Sequence, residues 1–222
     1  MSRNAAGISN FGRSNFGISN LGISNFGISN FGASKAATAA DFFPFGVVVA
    51  KLYGVNLRKV GSGNIGATNV LRAMGKGPAL LTLAGDVLKG SLAVLAGRFF
   101  LHGSSPEGIM GLSAIVGHNF SLFLRLRGGK GVATSIGVLL VYSPKAGILT
   151  VIVWLMVILT TRYSSLAAIV SFGILPLGIY LLDYSPEKLT ISILIAFLLI
   201  FRHTDNIKRL LQGTELKIGK RV

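Results

Sequence analysis

Residues 146–182, AGILTVIVWLMVILTTRYSSLAAIVSFGILPLGIYLL, contain one charged side chain, Arg162. Arg162 and Tyr163 separate two apolar runs, Ala146–Thr161 and Ser164–Leu182. Each run is close to the length of about 17–25 residues that a membrane-spanning helix needs. Two such runs joined by a short polar break are typical of antiparallel helices that cross a bilayer. The stretch therefore predicts a helical membrane protein.

The apolar pattern continues on both sides of this pair. Five further runs, some of them short for a full span, are Phe42–Val55, Pro78–Leu101, Gly108–Leu124, Val132–Tyr142 and Leu189–Phe201. If all seven runs cross, 14 of the 22 lysines and arginines fall on one face, in the breaks at 56–77, 125–131, 162–163 and 202–222. Positively charged loops stay on the cytoplasmic side. We expect an all-α, polytopic integral membrane helix bundle of about seven spans, the first one shortened, with its polar motif loops on the cytoplasmic face.

The composition of the 222-residue chain agrees with a membrane location. Mean hydropathy is +0.66 and the formal net charge is +15. The basic residues lie in short breaks between apolar runs, which favours a membrane surface and anionic substrates over nucleic acid. The chain has no cysteine, which excludes thiol catalysis and disulfides. A soluble all-helical core is the disfavoured alternative.

The segment GSGNIGATNVLR, residues 61–72, has the G-x-G-x-x-G spacing of dinucleotide-binding loops. That fingerprint requires a βαβ unit, and the acid at the expected distance, Asp86, lies inside an apolar run. A Walker A loop would need a lysine after its last glycine, and none follows Gly66. What remains is a general anion cradle made of backbone N–H groups, the Ser62 hydroxyl, the Asn64 and Asn69 amides, and Arg72 as a bidentate clamp.

A second polar segment, RGGKGVATSIG, occupies residues 127–137. Its glycines surround Lys130 and allow the backbone to form an anion nest, and a predicted helix begins directly after them. The N-terminus of that helix adds partial positive charge. Because all the polar breaks lie on one face, they can form one water-accessible pocket beside lipid tails. Such a pocket suits a substrate with a phosphate head and an apolar tail.

Several ionisable residues fall within or beside the apolar runs. Asp86 and Lys89 share a helix face at i, i+3 spacing, and the pair serves either as structural glue or in substrate binding. His118 and His203 belong to the predicted pocket face, whereas His102 belongs to the other. No histidine has an aspartate five positions on, so the His-x-x-x-x-Asp dyad of many acyltransferases is absent. We expect neither a metal site nor a cofactor.

Three segments together resemble the signature regions of one enzyme family. They are KLYGVNLRKVGSGNIGATNVLRAMGKGPALLTLAGDVLKG (51–90), VGHNFSLFLRLRGGKGVATSIG (116–137) and RHTDNIKRLLQGTE (202–215). The chain resembles the bacterial acyl-phosphate:glycerol-3-phosphate acyltransferases from about Phe45 to Gly219. The resemblance implies a seven-helix enzyme of the bacterial plasma (inner) membrane, in contact with membrane lipid, whose active site faces the cytoplasm. Its substrates would be acyl phosphate and glycerol 3-phosphate, and its products lysophosphatidic acid and phosphate.

The resemblance also implies which residues act. Catalytic roles fall to Ser62, Arg72, Lys130, His203 and Asn206, and substrate binding to Gly63, Asn64, Gly128, Gly129, Gly131, Ser165 and Glu215. Lys130 and Arg72 would neutralise phosphate charge, while the others orient the substrates. No carboxylate or histidine stands out as a base for the glycerol hydroxyl. We therefore expect the departing phosphate oxygen to accept that proton.

The N-terminus departs from the family. Residues 1–40 repeat a GISNF-like unit and read as a low-complexity, disordered tail, so the membrane-embedded acyltransferase domain is expected at 41–222. Only FFPFGVVVAKLYG (42–54) of the first helix region is recognisable. Two alternatives remain open: a catalytically impaired relative with a degraded first helix, and a transporter of an organic phosphate.

Overall fold

A computed structural model of the chain describes residues 43–219, which form nine α-helices and contain no β-strand. The helices are α1 (Phe45–Leu52), α2 (Ala67–Met74), α3 (Lys76–Phe100), α4 (Ser104–Asn119), α5 (Val132–Tyr142), α6 (Pro144–Thr161), α7 (Ser164–Leu182), α8 (Pro186–Arg202) and α9 (Thr204–Leu211). The predicted low-complexity tail, residues 1–40, lies outside the described residues. The all-α prediction is confirmed.

Each of the seven predicted apolar runs overlaps one helix, and the short polar helices α2 and α9 are additional. Three helices, α3, α6 and α7, are each long and apolar enough to cross a membrane. The pair α8 and α9, bent by 57°, makes a fourth candidate if it is one span. Seven crossings remain a prediction, because α1, α4 and α5 are shorter.

Consecutive long helices alternate in direction, so their ends meet in two groups. At one end, Arg98 near the end of α3 donates to the carbonyl of Val141 near the end of α5, at 3.0 Å. Ser143 donates to Asp183 across the same end, at 2.6 Å. The opposite end, which we call the motif end, holds residues 56–66, 120–131, 162–163 and 203–219. All three signature segments therefore reach the same end of the bundle.

One apolar core joins six of the helices, α3 to α8, and α6 contributes Ala146 to it. Val94 of α3, Ile115 of α4, Val138 of α5, Phe172 of α7 and Ile195 of α8 are almost fully buried and belong to one cluster. Outside this cluster, large apolar side chains of α3, α6, α7 and α8 are exposed on the surface of the bundle. A surface of this kind is suited to lipid contact.

Glycines bring α3 and α5 into backbone contact. A Cβ at Gly90 would overlap the carbonyl of Thr134, and a Cβ at Gly137 would overlap the carbonyl of Val87. The Ser91 hydroxyl also donates to the carbonyl of Gly137, at 3.0 Å. Small residues allow this close packing, which stabilises helix pairs in membranes where the hydrophobic effect between helices is weak.

α4 is shorter than the apolar run that predicted it, because it ends at Asn119 whereas the run extends to Leu124. After Asn119 the chain makes a short 3-10 turn, and Arg125 and Leu126 then adopt positive φ angles of 52° and 63°. This reversal brings the following glycines back against the last carbonyls of α4. The apolar side chains at 122–124 are thus in a turn and not in a span.

α5 is short for a membrane segment. Its 11 residues correspond to about 16 Å of helix. α6 starts from the same turn at Ser143 and is longer, with 18 residues. The loop that precedes α5 therefore lies deeper in the bundle than Arg162, where α6 ends.

The first helix is short within the described residues, yet it makes two close contacts. A Cβ at Gly46 would overlap the carbonyl of Ile65, and a Cβ at Gly85 of α3 would overlap the ring of Phe45. α1 thus packs on the first signature loop and on α3 together.

The α3–α5 contact yields a prediction on stability. Gly137→Ala should lower the apparent Tm in detergent by several degrees, because overpacking against a rigid backbone costs about 1–3 kcal/mol. Gly173→Ala is the matched control, since Gly173 also lies inside a helix but has open space where a Cβ would stand. Equal melting temperatures for the two variants would contradict the proposed role of the contact.

Candidate active site

The first signature loop is organised by the side chain of Asn69, which is buried in α2. Its amide nitrogen, with two N–H groups, lies within hydrogen-bond distance of three loop carbonyls, those of Leu57 and Val60 at 3.1 Å and that of Asn64 at 2.8 Å. Its oxygen accepts the N–H of Ser62 at 2.9 Å. The prediction that Asn69 binds the anion is therefore not supported, because the loop backbone uses its hydrogen-bonding groups.

The second signature loop is attached to the end of α4. The N–H groups of Gly128 and Gly129 donate to the carbonyls of Asn119 and His118, at 3.1 and 3.0 Å. These two N–H groups therefore cap α4. The next groups along the chain, at Gly131 and in the first turn of α5, remain available to an anion, since the first N–H groups of a helix have no partner within it.

Two arginines hold the loops together. Arg58 of the first loop donates to the carbonyl of Arg127 in the second and, at 3.3 Å, to the carbonyl of Gly63. Arg202 at the end of α8 donates to the carbonyl of Gly129, at 2.8 Å. Neither arginine was predicted as a site residue. Both stand in signature segments, but the sequence assigns them no role beyond the positive charge of the cytoplasmic face.

The third signature segment meets the second through a hydrogen-bond network. Lys130 donates to the Asn206 side-chain oxygen, and the Asn206 amide donates to Glu215 at 2.7 Å. Ser165 and Arg209 also donate to the Glu215 carboxylate, at 2.9 and 2.7 Å. The network therefore connects the loop before α5 with α7, α9 and the C-terminal segment.

Burial sets the electrostatics of this network. It lowers the pKa of the Lys130 ammonium to about 8, although the charge of Glu215 acts in the opposite direction. Burial also acts to raise the pKa of Glu215, but hydrogen bonds from Arg209, Asn206 and Ser165 outweigh it and lower that pKa. Lys130 is thus a partly desolvated cation, and a bound phosphate would raise its pKa again.

Arg72 and His203 approach the same region from other elements. One Arg72 nitrogen donates to the carbonyl of Leu216, at 2.9 Å, while its buried Nε has no hydrogen-bond partner among residues 43–219. His203 Nδ1 donates to the carbonyl of Leu199, at 2.8 Å. When the ring is neutral, its Nε2 is therefore a hydrogen-bond acceptor.

These groups line one cavity of about 640 Å³. Nine of the twelve predicted site residues are in its wall: Ser62, Asn64, Arg72, Lys130, Gly131, Ser165, His203, Asn206 and Glu215. Gly63 and Gly128 line an adjacent polar cavity of about 290 Å³, which shares Ser62, Asn64 and Lys130 with the first. Gly129 lines neither cavity and instead lies against the His118 ring. The described residues contain no group of three His, Asp or Glu side chains that could hold a metal.

The larger cavity has an apolar side that the motifs did not predict. Its wall there includes Leu83 and Val87 of α3, Ile136 of α5, and Trp154 and Leu155 of α6. These residues belong to apolar runs, where nothing in the sequence separates a cavity wall from a lipid-facing side chain. Asp86 and His118 also line the cavity, as the predicted pocket face of His118 suggested.

The fold and the cavity define a class of protein, a polytopic helical membrane protein whose polar loops enclose a basic, half-apolar pocket. The chain belongs to the glycerol-3-phosphate acyltransferase family, whose model matches residues 41–213. A relative named glycerol-3-phosphate acyltransferase in Thermus thermophilus is 50% identical over 181 residues, or 81% of this chain and 90% of the relative. A relative of the same name in Trichlorobacter lovleyi is 44% identical over 174 residues, covering 78% and 90%.

Solved structures agree with the family. The crystal structure of PlsY (YgiH), an integral membrane glycerol 3-phosphate acyltransferase, in its glycerol 3-phosphate form, aligns with a TM-score of 0.81 at 39% identity. The alignment covers 86% of this chain and 96% of that chain. A lysophosphatidic acid form of PlsY aligns with a TM-score of 0.79 at 37% identity. The predictions of an integral membrane fold and of an acyltransferase are confirmed.

Proposed function

We propose that the protein transfers a fatty acyl group from acyl phosphate to the 1-hydroxyl of glycerol 3-phosphate. The hydroxyl oxygen forms a bond to the acyl carbon, and the bond from that carbon to the phosphate oxygen breaks. The hydroxyl proton passes to the departing phosphate. The products are lysophosphatidic acid and inorganic phosphate, so atoms and charge balance without a further reactant.

The observation that carries this proposal is the two-sided cavity. Its polar side contains Arg72 and Lys130, and its apolar side lies between α3, α5 and α6. An acyl phosphate has the same division, with a doubly charged head and a hydrocarbon tail. The reacting carbonyl is the junction of head and tail, so it would lie where the two sides of the cavity meet.

Catalysis by this site rests on positioning and charge. Lys130 and Arg72 would neutralise the phosphate charge that redistributes as the acyl–phosphate bond breaks, and they act strongly because both side chains are partly buried. Ser62, His203 and Asn206 would orient the substrates, with Gly63, Asn64, Gly131, Ser165 and Glu215 shaping their sites. Gly128 and Gly129 contribute by fixing the loop that presents Lys130.

The contacts of α1 bear on the alternative of an impaired relative with a degraded first helix. Within the described residues α1 keeps its contacts with Ile65 and with α3. The first signature loop is therefore supported, with Asn69 fully hydrogen-bonded inside it. This support favours an active enzyme.

We also propose that the motif end faces the cytoplasm of a bacterial plasma (inner) membrane. The support is the concentration of lysine and arginine in the breaks that form this end. In that orientation glycerol 3-phosphate reaches the polar side of the cavity from the cytoplasm.

The donor can be tested with purified protein in lipid. We expect acyl transfer from palmitoyl phosphate, little from palmitoyl-CoA, and no loss with a metal chelator. The physical reason is that the cavity cations neutralise a phosphate attached directly to the acyl carbon, and acyl-CoA has sulfur there. Release of inorganic phosphate and formation of lysophosphatidic acid are the measurements. Equal rates with both donors, or abolition by the chelator, would refute the proposed donor chemistry.

The role of Lys130 is tested by a pair of alanine variants. Lys130→Ala should lower kcat by about 10²–10³-fold, the usual effect of removing one preorganised donor. Arg125→Ala is the matched control, because Arg125 is an exposed cation of the same loop that does not line either cavity. Near-normal turnover of a correctly inserted Lys130→Ala protein would rule out this assignment.

The orientation can be tested with single cysteines, because the natural chain has none. Thr204→Cys and Lys59→Cys at the motif end should react with an impermeant maleimide only from the cytoplasmic side. Glu187→Cys, in the first turn of α8 next to the loop from α7, should react only from the outside. All three original side chains are exposed. Labelling of positions 59 and 204 from opposite sides would be incompatible with seven crossings.

A further inference from the structure

A cluster of three ionisable side chains is buried between α3 and α4, and two of its members, Asp86 and His118, form part of the cavity wall. Asp86 and Lys89 of α3 and His118 of α4 are 2%, 3% and 5% exposed. Lys89 Nζ lies 2.6 Å from Asp86 Oδ1 and 2.6 Å from His118 Nδ1. The mechanism proposed above uses none of the three, although an unneeded ion pair at this depth is costly.

The cluster fixes the state of the histidine ring. An ammonium group only donates hydrogen bonds, so the His118 nitrogen that faces Lys89 accepts one and carries no proton. The proton of the neutral ring is therefore on Nε2. That nitrogen faces the second signature loop, because it occupies the place where a side chain at Gly129 would begin.

His118 holds the same loop through its backbone. Its carbonyl accepts the N–H of Gly129 at 3.0 Å, and the next residue is Lys130. The contacts thus run from Asp86 to Lys89, then to the His118 ring and Gly129. On the other side of Lys130, α5 lies directly on Gly90, the neighbour of Lys89.

We infer that Asp86, Lys89 and His118 are positioning residues that hold Lys130 at the phosphate site of the cavity. The inference rests on the proposed role of Lys130. The charges of Asp86 and Lys89 cancel, so the cluster can be buried, while its hydrogen bonds fix the end of α4 against α3. Without the cluster, the loop would lose the surface against which Gly129 packs.

Two variants test the cluster without leaving an unpaired charge. His118→Phe keeps the ring and the Asp86–Lys89 pair but removes both nitrogens. The double variant Asp86→Asn/Lys89→Met removes both charges together. The matched control is Asp183→Asn/Lys188→Met, which removes an ion pair of 2.7 Å at the opposite end of the bundle. If the double variant is not recovered in the membrane, His118→Phe alone decides the question.

Each variant is assayed for kcat, KM and apparent Tm, in the wild-type chain and together with Lys130→Ala. We expect kcat to fall about a hundredfold, as for a displacement of a catalytic group by about 1 Å. KM and Tm should change little, and the control should keep its kcat. In the Lys130→Ala chain the same substitutions should cost less than about twofold, because residues that act through one another are not additive.

Normal kcat in His118→Phe and in the charge-free double variant would overturn the inference, since the cluster would then be structural glue. Losses that multiply with the loss from Lys130→Ala would overturn it as well, because the cluster would act by another route. Lys130→Ala alone reports on the proposed function. An active Lys130→Ala protein refutes the proposed role of Lys130, whereas an inactive one with active cluster variants refutes this inference only.

Discussion

The backbone contact between α3 and α5 is the constraint on which the site depends. Gly90 and Gly137 let the two helices approach until their backbones are in contact. α5 begins immediately after Gly131, so the position of α5 on α3 sets one side of the loop that presents Lys130. The last turn of α4 sets the other side. A change of one methyl group at this crossing would therefore be felt in the cavity, because closely packed interiors transmit displacement instead of absorbing it.

The polar loops illustrate how irregular backbone is stabilised beside apolar helices. Backbone groups without partners are expensive where water is scarce. In this protein side chains form hydrogen bonds with these groups. Asn69 binds carbonyls of the first loop, Arg58 donates to carbonyls of both loops, and Arg202 donates to a carbonyl of the second. The polar side chains around these glycine-rich segments thus have two tasks. Some hold the loops, and only those that still face the cavity are available to a phosphate.

The sequence predicts the helices well, and it also predicts that the motifs lie at one end of the bundle. The lengths of the apolar runs and the charged segments between them are set by the bilayer more than by details of packing. All seven runs overlap helices, and nine of the twelve predicted residues line one cavity.

The sequence does not predict which motif residues hold the loops and which face the cavity. Asn64 and Asn69 look alike in the sequence, yet only the geometry shows that Asn69 is used up by backbone groups. The sequence also does not predict the end of α4, since Leu122–Leu124 are apolar although the helix ends at Asn119 and these residues form a turn. The apolar side of the cavity could not be predicted. Trp154 and its neighbours are apolar like the lipid-facing residues, and only the structure shows that they face the cavity.

The short α5 has a consequence for where the two reactants travel. A helix of 11 residues covers about half of a hydrocarbon core of roughly 30 Å. The loop with Lys130 therefore lies below the level at which α6 ends. A hydrocarbon tail can remain at its own depth in the leaflet and slide sideways against α3 and α6. In the proposed reaction glycerol 3-phosphate would enter from the motif end, through the adjacent polar cavity that Arg58, Arg202 and Arg209 line. With this arrangement the acyl chain would not have to leave the hydrocarbon core for water.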